Sequence, residues 1–268
     1  PKAWQDAGVD FFNLSPNYAT SQQGTSIAEV RDLASEAAIY GELTHTADTW
    51  TMVKLGYDDN HYRRLTKEML ETTARIYYAR GADGVSFFNL AYYRAHGSNR
   101  EKKGPFNEPL FKEMSILADK QALDNSPDAA YFFTRGHNAK FSANAKGTTK
   151  TYWMDMVPAR GNGPATLRLL VLSEKEATHG ELDAPEKVKR EGWVVKINDV
   201  PLSPVKNTWG AYPLKTEIKA GFNKAEQYVA FSVPANLLED GPNKVEISND
   251  KVAQTMRLRF VEIFQNPK

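Results

Sequence analysis

Gly8-Val9-Asp10-Phe11-Phe12-Asn13-Leu14 returns later in the chain as Gly84-Val85-Ser86-Phe87-Phe88-Asn89-Leu90, with one difference in seven positions. Each copy is a short apolar run opened by Gly and closing on Asn and Leu, the pattern of a strand buried on both faces of a parallel sheet. A third run of this kind, Ala37-Ala38-Ile39-Tyr40-Gly41-Glu42-Leu43, lies between them and carries a carboxylate next to its end. Helical patterns separate the runs. Ser26-Ile27-Ala28-Glu29 has the spacing of a capping box and predicts a helix to about Ser35. Tyr62, Leu65, Met69, Thr73, Ile76 and Tyr77 recur at helical spacing over residues 60–80, and Gly81 stands where a left-handed stop belongs. Strand, helix, strand, helix, strand predicts crossover units and a parallel sheet.

Working outward, Asn107-Glu108-Pro109 reads as a helix start, followed by an apolar stripe of Leu110, Phe111, Met114 and Leu117. Residues 1–123 are thus expected to form the α/β part. Residues 124–150 are polar and irregular apart from Tyr131-Phe132-Phe133 and read as a boundary region. Beyond them the pattern changes to β-type runs at residues 151–157, 166–172, 193–197, 228–233, 244–247 and 256–263, separated by Gly, Pro, Asn and Asp turns. Several alternate apolar and polar residues, so an antiparallel β-sandwich is expected over 151–268.

With 268 residues and 41% hydrophobic content, the chain can build sizeable cores. Its apolar stretches fall far short of the ~20 residues of a membrane-spanning helix, so no membrane span is expected. Thirty-four basic and thirty-three acidic residues give a net charge of +1, which sets up no field for nucleic acid or anionic lipid. The basic run at residues 94–103 reads first as a solvated loop. Cysteine is absent, which excludes disulfides, thiolate metal sites and cysteine nucleophiles. The chain opens at Pro1 within what reads as structured sequence, so a longer parent is expected and localisation stays open.

Three parallel strands do not make a domain, because a parallel sheet needs both faces covered, and a full (β/α)8 barrel takes roughly 250 residues. The repeat favours the closing part of such a barrel, in which alternate strands feed the same interior layers. Residues 81–90 (GADGVSFFNL) after a helix ending in Tyr77-Tyr78-Ala79-Arg80, then Ala118-Asp119-Lys120, then residues 195–202 (VKINDVPL) and 258–264 (LRFVEIF) carry a resemblance. The chain resembles the C-terminal part of bacterial glycoside-hydrolase-like TIM-barrel proteins with an appended β-sandwich. That resemblance implies the C-terminal part of a (β/α)8 barrel, a carbohydrate substrate, no cofactor, and periplasmic or extracellular export. It also implies that the N-terminal barrel half, with its acid/base carboxylate, lies upstream and that this chain alone is inactive.

On this reading the three runs are the sixth, seventh and eighth strands, and Glu42 falls where the nucleophile of retaining glycosidases stands. A carboxylate at the C-terminal mouth can attack an anomeric carbon if a second carboxyl group about 5 Å away protonates the leaving oxygen. Asn13, Asn17 and Tyr18 after the first run, His45 and Trp50 after the second, and Asn89, Tyr92 and Tyr93 after the third would line the same mouth. Amides and phenols hydrogen-bond sugar hydroxyls, and aromatic faces stack on sugar C–H surfaces. Each has a plainer reading: Glu42 as a paired or solvated strand-end residue, Asn13 and Asn89 as caps, Trp50 packed on its own loop. Asp83 precedes its strand and belongs to the opposite, stabilising face.

Other catalytic patterns are missing. There is no G-x-S-x-G elbow or Walker loop, and Gly161-Asn162-Gly163 lacks the context of a dinucleotide fingerprint. The five histidines lack the spacing of a zinc helix, so no catalytic metal is expected. Trp153 and Trp193 lie within strand runs and are expected in the sandwich core, whereas Trp209 and Tyr212 sit in a turn-rich segment and are candidates for an exposed contact. Two rivals stand beside the glycosidase: a non-catalytic carbohydrate-binding or structural protein, and an unrelated open α/β domain.

Overall fold

A computed structural model of the chain describes residues 1–15, 22–44, 46–48, 62–88, 110–133, 140–142, 147–173, 191–210, 226–252 and 255–265. The first part runs α1 (Lys2–Asp6), β1 (Phe11–Leu14), α2 (Ile27–Leu33), β2 (Ala38–Leu43), β3 (Thr46–Asp48), β4 (Tyr62–Arg64), α3 (Lys67–Ala79) and β5 (Gly84–Phe87). Then come α4 (Leu110–Leu117), α5 (Lys120–Asp124), β6 (Ala129–Phe133), β7 (Lys140–Phe141), β8 (Thr149–Met156) and β9 (Ala165–Ser173). The chain closes with β10 (Trp193–Ile197), β11 (Val200–Pro201), β12 (Ser203–Gly210), β13 (Glu226–Val233), β14 (Gly241–Asn249) and β15 (Met256–Gln265).

The expected (β/α)8 barrel is not formed. Strands β1, β2 and β5 pair in parallel as an open three-stranded sheet, and most of the remaining strands lie in two larger antiparallel sheets. One is six-stranded, ordered β12-β13-β9-β15-β6 with β7 also on β15; the other is four-stranded, ordered β11-β10-β14-β8. Strands β3 and β4 form a separate pair. The repeat does not supply matching interior layers either. In β1, Phe12 packs on the helical side and Phe11 faces out at 48% exposure; in β5, Phe87, the counterpart of Phe11, packs on the helical side. Register explains the reversal, since Phe12 lies beside Ile39 while Phe87 lies beside Leu43, and a one-residue change of phase turns every side chain over.

Helix α3 begins at Thr66, whose Oγ1 accepts the Met69 amide at 3.3 Å, so the helical pattern starts several residues later than its spacing suggests. Residues 62–64 before it are strand β4. The turn after α3 passes through Gly81 at φ +98°, a conformation that favours glycine. The capping box at Ser26 does not close, because the Ser26 side chain makes no cap hydrogen bond. Every residue from Met69 to Tyr77 is buried, which a two-layer arrangement would not require. Leu70, Ala74 and Tyr77 share a core with Ile39 and Leu43 of β2 and with Ala130, Phe132, Tyr228 and Phe260 of the six-stranded sheet.

That sheet is therefore covered on both faces. Alternate residues Ala129, Tyr131 and Phe133, with Leu167, Leu169, Val229 and Phe231, pack against Met154, Val195, Ile197, Val245 and Ile247 of the four-stranded sheet. In β15 the register slips between Leu258 and Phe260. The extra residue lets Leu258 and Val261, three apart, both face the sandwich core while Phe260 faces α3. Tyr131-Phe132-Phe133, read from sequence within the boundary stretch, is thus a buried strand. Among the described residues its outer edge takes no further strand. The Ala130 amide donates to Thr72 Oγ1 at 2.8 Å, the Phe132 amide to Gln22 Oε1 at 2.8 Å, and Gln22 Nε2 to the Ala130 carbonyl at 3.1 Å.

Arg80 and Gln23 join the α/β layer to the four-stranded sheet. Arg80, just beyond α3, donates from Nε to both Asp155 oxygens (3.0 and 2.8 Å), and from its terminal nitrogen to Asp240 at 2.9 Å and the Met156 carbonyl at 3.1 Å. Gln23 closes the same corner, Nε2 donating to the Asp155 carbonyl at 3.1 Å and Oε1 accepting its amide at 2.6 Å. On α3, buried Glu71 accepts from Ser126 at 3.3 Å and pairs with Lys67 at 3.5 Å. Burial raises its pKa above the ordinary value, against the opposing pull of Lys67 and Ser126.

Arg80→Lys keeps the charge but loses the forked geometry, and a loss of about 2 kcal/mol is expected in urea titrations. For Glu71 the folded chain holds the proton more tightly than the unfolded chain. Its contribution is complete below the ordinary glutamate pKa and is lost as pH rises through the raised folded value. Glu71→Gln should therefore gain stability relative to the parent between pH 4.5 and 7, measured as the difference in urea midpoints at the two pH values.

Candidate functional site

The two faces of the three-stranded sheet differ in kind. On one, Ile39, Leu43, Val85 and Phe87 meet the helical layer, and Gly41 lies against Tyr77 of α3. A β-carbon at Gly41 would stand 2.1 Å from Tyr77 Cδ2, so only glycine lets the ring pass. The Tyr77 hydroxyl meets Thr25 Oγ1 at 3.1 Å, and burial pushes its pKa up to about 12, with the Glu42 charge adding to the rise.

Phe11, Asn13, Tyr40, Glu42 and Ser86 belong to the other face. Phe11 leans on Tyr40 with ring centroids 5.1 Å apart, and Tyr40 lies across Gly84, where a β-carbon would come within 2.5 Å of its Cε1. Two residues further along the strands the surface turns polar. Glu42, paired in register with Ser86, is 8% exposed and accepts two hydrogen bonds from the β1 side. Asn13 Nδ2 donates to its Oε2 at 3.1 Å, and the Ser15 hydroxyl donates to its Oε1. Ser86 Oγ in turn donates to Asn13 Oδ1 at 2.6 Å. A carboxylate is thus held at the C-terminal end of the middle strand, both oxygens met by neutral donors.

The carboxylate at the other end of the sheet has a different setting. Asp83 precedes β5, and its Oδ2 accepts the Ile39 amide at 2.8 Å and a hydrogen bond from Arg31. The Ile39 amide, with Arg31 beside it, holds the Asp83 carboxyl below the usual carboxylate range. It ties α2, β2 and β5 together.

Of the site residues expected from sequence, Glu42 and Asn13 come together. Asn17, Tyr18, His45, Trp50, Asn89, Tyr92 and Tyr93 lie outside the described residues. Ser15 and Ser86 are the members that sequence reasoning missed. Ser86 carried a signal, being the one position at which the two heptads differ. In the sandwich, Trp193 is buried at 6% exposure, but Trp153 is 61% exposed, which corrects its expected place in the core. Trp209 falls within β12 and Tyr212 lies outside the described residues. Among the described residues no group of three His, Asp or Glu could hold a metal ion, and no helix is long and apolar enough to cross a membrane.

No protein-family model and no curated protein matches the chain. Among solved structures it is similar to BpGH86A, a beta-porphyranase of glycoside hydrolase family 86 from the human gut bacterium Bacteroides plebeius. The identity is 17% and the TM-score 0.33, over 52% of this chain and 20% of that one, so the chain spans about a fifth of that enzyme's length. The finding goes no further than a slight likeness to part of a glycoside hydrolase.

The two close glycine contacts call for different costs. Gly41→Ala drives a methyl into a ring fixed between two layers and is expected to cost about 3 kcal/mol, whereas Tyr40 at the open face can swing away from Gly84→Ala for about 1 kcal/mol. Chemical denaturation of the two variants side by side checks the order.

Proposed function

We propose that the chain is part of a carbohydrate-active enzyme and that Glu42 is the nucleophile in retaining hydrolysis of a glycosidic bond in a poly- or oligosaccharide. One observation carries the reading: a nearly buried carboxylate, oriented by Asn13 and Ser15, at the C-terminal end of the middle parallel strand and on the face away from the helices. In the proposed reaction a Glu42 oxygen bonds to the anomeric carbon as the glycosidic C–O bond breaks, and the leaving oxygen takes a proton from a second carboxyl group. Water then attacks the same carbon, releases Glu42 and returns the proton. No described residue is assigned the acid/base role. Asn17, Tyr18, His45, Trp50, Asn89, Tyr92 and Tyr93 are the proposed contacts to sugar hydroxyls and ring faces.

The same geometry favours one other reading. Both Glu42 oxygens already accept hydrogen bonds from this chain, as a structural carboxylate's would. A carbohydrate-binding protein without catalysis would keep such a group.

Dinitrophenyl 2-deoxy-2-fluoroglycosides separate the two, because that leaving group departs without a proton and capture needs only the nucleophile. After incubation with gluco-, galacto- and xylo-configured probes, intact mass and peptide mapping should show a single glycosyl adduct on Glu42, absent from Glu42→Gln. An adduct on another carboxylate, or none with all three probes, would overturn the nucleophile.

A further inference from the structure

We propose that the outer face of the four-stranded sheet is a second, separate carbohydrate contact: a flat platform for neutral polysaccharide centred on Trp153. Strand β8 alternates strictly here. Met154 and Met156 enter the sandwich core, as do Val245 and Ile247 on β14, so Trp153, Thr151, Lys244, Glu246 and Ser248 are left on the outside. Trp153 is 61% exposed in the middle of a regular strand, where an indole gains little from its surroundings and its face is open to a ligand.

The neighbours select the class of ligand. Lys244 lies beside Trp153 in register, but its ammonium is already engaged by Asp199 at 2.8 Å and Glu246 at 3.3 Å. With Lys196, which also faces out on β10 and acts on Asp199, the two lysines match the two carboxylates, leaving no net field to draw an anionic or a cationic partner. The exposed apolar groups among the described residues of this face, the Trp153 indole and the smaller Val194 beside Ser248, are also far smaller than the several hundred Å² of continuous apolar surface expected of a protein docking site. What remains is one aromatic ring with hydroxyls leading away from it. Thr151 and Thr149 follow along β8 in steps of about 7 Å, and Ser248 pairs with Thr149 across the sheet. A neutral chain of sugar rings matches this layout, one ring stacking its C–H face on the indole and the next presenting hydroxyl edges to the threonines.

The inference does not depend on Glu42, and its test keeps the two apart. The full chain is run in affinity gels containing xylan, laminarin or agarose and mixed with microcrystalline cellulose. At least one of the four is expected to retain it. Trp153→Ala should weaken that retention about tenfold or more with an unchanged melting temperature and unchanged adduct formation at Glu42, and Trp153→Tyr should keep part of the retention. Retention unaltered in Trp153→Ala, or absent for all four polysaccharides, would overturn the platform. So would a Trp153→Ala effect confined to self-association, seen by light scattering on a sizing column.

Discussion

Strand β6 is where the molecule holds together, because it belongs to two cores at once and ends a sheet without leaving an open edge. Its odd residues face the four-stranded sheet and its even residues face α3. The backbone groups that point away from β15 would invite another strand, yet they are met by Gln22 and Thr72 instead. Gln22 also donates to Thr73, so one side-chain amide spans the loop before α2, helix α3 and the sheet edge. Loss of such contacts would leave buried amides unpaired, which costs more than the hydrogen bonds themselves contribute. The Arg80 fork repeats the device at the C-terminal end of α3, where a side chain of the α/β layer replaces water around Asp155.

The legibility of each element in the sequence follows from how many faces its surroundings bury. Strands of the four-stranded sheet bury one face and alternate, so β10 reads at once as Trp193, Val195 and Ile197 in, Val194 and Lys196 out. Strand β6 buries both, and Ala-Ala-Tyr-Phe-Phe shows no period by which to separate it from an irregular apolar stretch. Trp153 marks the intermediate case. Lying in a strand does not decide whether a Trp is buried; phase does, and Met154 and Met156 had already set it.

The repeated heptads show the same limit at the level of the fold. Nearly identical runs suggest equivalent strands in a closed barrel, but the face a strand presents is chosen by its neighbours. Gly41 admits Tyr77 on one side of β2, and Gly84 admits Tyr40 on the other. These two close approaches set the register of β5 on β2, and with it the turning of Phe87 toward the helices while Phe11 stays outside. Sequence similarity carries propensity faithfully. It does not carry phase, and a sheet is built on phase.

For the candidate site, the part that could be read was the charged group and the part that could not was what orients it. Glu42 stands out as a carboxylate ending an apolar strand, but a carboxylate becomes chemically useful only when its oxygens are held in place. That orientation descends through a chain of neutral groups. The Asn13 amide has one donating and one accepting end, and it lies between Ser86 and Glu42. Because the Ser86 hydroxyl donates to Oδ1, the amide must present Nδ2 to the carboxylate; the reverse orientation would set two oxygens against each other. Ser86 therefore acts on Glu42 without touching it, as a positioning residue. With Asp in its place, as at the equivalent Asp10 of the first heptad, the hydroxyl donor would be gone and a second negative charge would face the same amide. The one substitution that separates the two copies thus falls where the polar face has the least tolerance for it.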